Sequence, residues 1–115
     1  MLTVHHVNAV LVIAVCATAG VAALVARRRG AGGWLPHLLA LAQTLLVAQV
    51  GLGLLLLADH KRAAERLHYA YGAFALLSVG APWLYAPSDP RTRLAWFAGA
   101  TLVAAALAVR AYMTA

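Results

Sequence analysis

Four apolar runs, separated by three short polar connections, dominate this chain of 115 residues. Each run approaches the roughly 20 residues that a helix needs to cross the hydrocarbon core of a bilayer. The runs cover residues 3–26, 34–58, 67–86 and 94–113, and the connections cover 27–33, 59–66 and 87–93. Isolated strands would leave backbone groups unpaired in lipid, and the period-two alternation of a barrel is absent, so the runs read as helices. Their Leu- and Ala-rich composition favours the same state. Connections this short set each helix antiparallel beside its predecessor. The expected fold is therefore an all-α, integral membrane, up-down-up-down four-helix bundle that uses residues 1–115 as a single domain.

Composition excludes the main alternatives. Apolar residues make up 64% of the chain and charged ones 10%, against roughly 45–50% and 25% in soluble domains. Mean hydropathy is +0.84. A soluble domain of this size exposes too much of its surface to hide so many apolar side chains. The formal charge of +6 sits in short clusters between the runs, which suits lipid headgroups and not a nucleic-acid groove. The first run lacks a basic leader segment, its first positive charge being Arg27, so it reads as a span and not as a signal peptide. The single cysteine, Cys16, rules out an internal disulfide and multi-Cys metal sites. Within an apolar run it reads as a buried, inert thiol.

Charge sets the expected orientation. The first and third connections carry five arginines, Arg27, Arg28, Arg29, Arg91 and Arg93, against four cations elsewhere, Lys61, Arg62, Arg66 and Arg110. The positive-inside bias places both termini outside, in a plasma membrane of the bacterial type. Trp34, Trp83, Tyr85, Trp96 and Tyr112 fall near the run ends, where aromatic rings suit the membrane–water boundary. Pro36 suits a first helical turn, and Pro82 predicts a kink or an early end in the third helix. Small residues recur every fourth position at Ala40, Thr44 and Ala48, and again at Ala100, Ala104 and Ala108. These stripes are expected to pack helices within the bundle, with a homodimer or a larger membrane complex as the alternative use.

Five histidines in so apolar a chain are its chemical signal. His5 and His6 open the first helix and His68 opens the third, which runs in the same direction, so all three share one depth. His60 lies in the connection on that side, whereas His37 stands alone at the opposite end. Two imidazoles at matched depth on facing helices can ligate one haem iron from both sides. Gly72, one turn beyond His68, helps to open the gap, and Gln49 lies at similar depth on helix two. Asn8 is an intramembrane polar group that needs a partner: a propionate, another helix or water. A zinc or copper site built from His5, His6, His60 and His68 is the competing metal reading.

At these residues the chain resembles one four-helix half of the haem A synthase family. His5-His6-Val7-Asn8-Ala9 is similar to the family's His-Arg pair at the start of a helix. Gln49-Val50-Gly51-Leu52-Gly53 is similar to its Gln followed by Leu-Gly, and Leu67-His68-Tyr69-Ala70-Tyr71-Gly72 to its second His. The resemblance runs from His5 to about Leu77. It implies a bis-His haem b with His5 and His68 as axial ligands, His6 being the alternative to His5, and with Asn8, Gln49 and Gly72 around it. Three departures matter. No carboxylate precedes His5, His6 replaces the arginine, and the chain supplies one bundle where the bacterial enzymes generally have two. Haem hydroxylation is therefore disfavoured, and electron transfer or haem holding is the expected role. A non-catalytic accessory subunit without cofactor is the alternative, and the spans offer few ionisable groups for a transport pathway.

Overall fold

The computed structural model describes residues 2–29 and 33–115, so part of the first connection lies outside the described residues. Four helices and no strands are formed by the described residues: α1 (Leu2–Arg29), α2 (Leu35–Ala58), α3 (Leu67–Tyr85) and α4 (Pro90–Met113). α1, α2 and α4 are long and apolar enough to cross a membrane. At 19 residues α3 is the shortest, and it gives its first turns to His68, Tyr69, Tyr71 and Gly72. Large apolar side chains such as Leu54, Phe74, Leu77 and Leu84 point outward, an arrangement that water would penalise and lipid accepts.

α1 packs along α2 on one side and α4 on the other, and α4 carries α3. α2 and α3 meet only lightly, and α1 and α3 face each other across the diagonal. Small residues make the close contacts possible. Cys16, Ala19, Ala23, Ala98 and Ala104 are fully buried, beside Val12, Ala42, Leu46, Ala75 and Val79. Gly20 lets α1 approach α4 so closely that a methyl there would stand 2.5 Å from Leu102 Cγ. Side-chain bonds reinforce the seams: the Ser78 hydroxyl donates to the Ala100 carbonyl at 2.9 Å, and Trp83 Nε1–H to Gln43 Oε1 at 3.2 Å.

Three sequence expectations need correction. α1 runs through Arg27, Arg28 and Arg29, because arginine favours helix and cations suit a helix C-terminus. α4 starts at Pro90 and not near 94, since Asp89 caps it by accepting from the Thr92 amide at 3.0 Å and Pro90 fits the first turn. α3 ends three residues past Pro82, which lies in its last turn as expected. It stops where Pro87 forces Ala86 into extended backbone at ψ 137. Finally, the stripe Ala40, Thr44 and Ala48 faces outward. α2 turns Leu35, Ala42, Leu46 and Leu56 inward instead, whereas Ala104 on α4 does pack inside.

Candidate functional site

At the end where α1 and α3 begin, the light contact between α2 and α3 leaves a cavity of about 410 Å³ lined by all four helices. His5, His6, Gln49, Gly53, His68 and Gly72 contribute to its wall, as do Tyr69, Tyr112, Lys61 and Arg62. Most of the remaining lining is aliphatic, from Leu2, Leu46, Val50, Leu54 and Leu76 among others.

His5 and His68 meet across the diagonal. Their ring centroids are 6.2 Å apart and the ring planes are inclined at 74°. His68 Nδ1–H donates to the Ala111 carbonyl at 2.6 Å. That bond fixes the tautomer, so Nε2 carries the free lone pair, the arrangement typical of a histidine that ligates a metal. The same carbonyl, in the last turn of α4, also accepts from the Thr114 amide at 3.3 Å and the Thr114 hydroxyl at 3.2 Å.

His5 is 8% exposed, and its Nδ1 is buried with no hydrogen-bond partner among the described residues. A buried unpaired nitrogen is costly unless something binds it. On the other side of the ring, Gln49 Nε2 lies 3.5 Å from His5 Nε2, the outer limit of a hydrogen bond. Asn8 stands one step behind: its Nδ2 donates to Gln49 Oε1 at 3.0 Å and to the Leu45 carbonyl at 3.1 Å. Asn8 thus finds its partner on another helix and orients Gln49 without lining the cavity.

His6 is exposed on the neighbouring face of α1, its ring 6.4 Å from His5 and 6.3 Å from Tyr112. His60 and His37 are exposed and outside the cavity. Among the described residues no group of three or more His, Cys, Asp or Glu side chains is placed to hold a metal ion. The four-histidine zinc or copper site is therefore not assembled.

Gly72 borders the cavity, yet a methyl added there would meet nothing within 4 Å. The close approach occurs instead at Gly53, where a methyl would stand 3.3 Å from His5 Cε1. The cations Lys61 and Arg62 and the Ala111 carbonyl are site features that the sequence pattern did not indicate. Comparison with family models, curated proteins and solved structures gives no match to this chain.

Proposed function

We propose that this four-helix membrane protein holds a b-type haem between His5 and His68, for electron transfer or haem holding and without a catalytic reaction of its own. The pairing of these two imidazoles carries the reading. Two imidazoles on facing helices would hold the iron from both sides, and these two stand 6.2 Å apart between ring centroids. His68 offers Nε2, and His5 offers a buried imidazole on the facing helix. The cavity volume lies in the usual range for cofactor sites, about 300–1,000 Å³, and the α2–α3 seam leaves room for a flat ring to extend. A bound haem would supply one-electron chemistry. The protein's part is to place the two imidazoles, exclude water with an aliphatic wall and orient His5 through Gln49 and Asn8.

The resemblance to one half of haem A synthase supports the same reading. The excess of arginine at the opposite end supports an orientation with both termini and the histidine end on the outer face of a plasma membrane of the bacterial type. Titration of the detergent-purified protein with haem tests the proposal. Saturable binding with a six-coordinate, low-spin spectrum is expected, lost in His68→Ala and retained in His37→Ala. A wild-type protein without saturable binding would overturn it.

The second reading, an accessory subunit or a homodimer, draws on the outward stripe Ala40, Thr44 and Ala48. A shallow groove between α3 and α4 at Ser78, Ala81, Ala95 and Gly99 adds to it. Small residues let a neighbouring helix approach closely in lipid.

A further inference from the structure

Where α2 ends, the chain turns back over the cavity. The His60 amide donates to the Leu57 carbonyl at 3.1 Å and the Lys61 amide to the Leu56 carbonyl at 2.9 Å. These are the paired bonds of a Schellman turn, whose left-handed position is usually glycine. Here His60 occupies it, with φ 59. Arg62 Nη1 then donates to the Leu57 carbonyl at 3.3 Å, folding its side chain along the end of α2. The turn thereby sets an ammonium and a guanidinium beside the cavity that His5 and His68 line. Asp59 and Glu65 belong to the same connection, but neither borders the cavity.

A ligand matching both parts of this space has a broad apolar body and anionic groups at one edge. Each cation meets a carboxylate with charge-assisted hydrogen bonds, and the arginine fork can do so bidentately. We propose that Lys61 and Arg62 anchor the carboxylates of the ligand held in this cavity. Resting on the haem reading, the inference assigns these two residues to the haem propionates. It gives the ligand a direction, carboxylates toward the 59–66 connection and the opposite edge toward the aliphatic wall around Leu46 and Leu76.

The competing use of these side chains is to reach lipid phosphates at the membrane surface. Two probes separate the uses: haem, and its dimethyl ester, which keeps the ring and iron but lacks the carboxylate charge. Both are titrated into the full chain in zwitterionic lipid nanodiscs, as wild type, as Lys61→Gln and Arg62→Gln, and as the double variant. The double variant should bind haem about ten-fold more weakly or worse, with smaller losses in the single variants. Dimethyl ester affinity should be the same in wild type and double variant, which also reports an intact cavity. Equal haem affinity in wild type and double variant would overturn the anchor and leave the haem site standing. Parallel loss of both probes would overturn it too, since the substitutions would then act on the fold and not on the carboxylates. If the wild type bound neither probe, the haem reading itself would fall.

Discussion

Gly53 on α2 and His5 on α1 lie so close that a methyl group on Gly53 would stand 3.3 Å from His5 Cε1. Carbon atoms in good contact sit about 3.5–4.0 Å apart, so the imidazole rests against bare backbone. Gly53→Ala should push the ring by a small amount, and Gly53→Val should displace it from its place opposite His68. Haem affinity is expected to fall in that order. Gly72→Ala should leave affinity unchanged, because the added carbon meets nothing within 4 Å. Parallel titrations check both, and a Gly53→Val protein that binds as the wild type would mean that His5 is not held there.

His60 should be replaceable by glycine with a gain in stability. Left-handed backbone costs a residue bearing Cβ about 1–2 kcal/mol, and glycine adds back about 0.5–1 kcal/mol of unfolded-state entropy. With φ 59 at His60, His60→Gly should stabilise the protein by about 0.5–1 kcal/mol net. Denaturant-induced unfolding in mild detergent measures the shift. The Schellman turn survives the change, so haem affinity should not move.

The helical bundle was legible because lipid imposes length and hydropathy on each span. Which way the helices face was not, and the reason is physical. In water an apolar stripe marks the inside, but in a membrane both the interior and the lipid are apolar, so periodicity carries little information. Hence the regular Ala40, Thr44 and Ala48 stripe faces outward while Ala42 and Leu46 pack inside. Helix starts were partly readable from chemistry, as Asp89-Pro90 shows in retrospect. Within the site, His5, His68 and Gln49 could be found because polar groups are rare in such runs. The Ala111 carbonyl that orients His68 could not, since every residue has one and only the fold selects it.

Gly20 and Gly99 should respond oppositely to alanine. Helix propensity favours alanine over glycine by about 0.8–1 kcal/mol. At Gly99 a methyl meets nothing within 4 Å, so Gly99→Ala should be neutral or stabilising. At Gly20 it would stand 2.5 Å from Leu102 Cγ and 3.3 Å from the Leu102 backbone nitrogen. Overpacking costs about 1–3 kcal/mol, which exceeds the propensity gain. Gly20→Ala should therefore destabilise by about 1 kcal/mol, read by thermal unfolding of both variants together.

Asp89 makes the start of α4 sensitive to acid. Its Oδ2 accepts from the Thr92 amide at 3.0 Å and from the Thr92 hydroxyl at 2.8 Å. These bonds hold its pKa below the ordinary carboxylate value, with help from Arg91 and Arg27. A carboxyl group whose pKa is depressed by folding stabilises the native state above its unfolded pKa, about 3.9. That contribution fades as the pH falls through the lower, folded value. Stability should thus decline on acidification below about pH 4, and Asp89→Asn should remove this part of the decline while keeping an N-cap. An unchanged acid profile in the variant would show that the cap does not contribute.

The sharpest test concerns two adjacent histidines. Successive residues on a helix face about 100° apart, so only one of His5 and His6 can point across the bundle at His68. His5 is buried, 6.2 Å from His68, with an Nδ1 that has no partner among the described residues. His6 is exposed, and its ring neighbours Tyr112. His5→Ala should abolish the six-coordinate, low-spin haem spectrum, leaving His68 as a single axial ligand with a five-coordinate, high-spin signature. His6→Ala should retain the low-spin spectrum with little change in affinity. Added imidazole should restore the low-spin spectrum in His5→Ala, because truncation leaves space for it beside Gly53. A low-spin spectrum that survived in His5→Ala and vanished in His6→Ala would transfer the axial role to His6. It would mean that α1 turns by about 100° when the ligand binds.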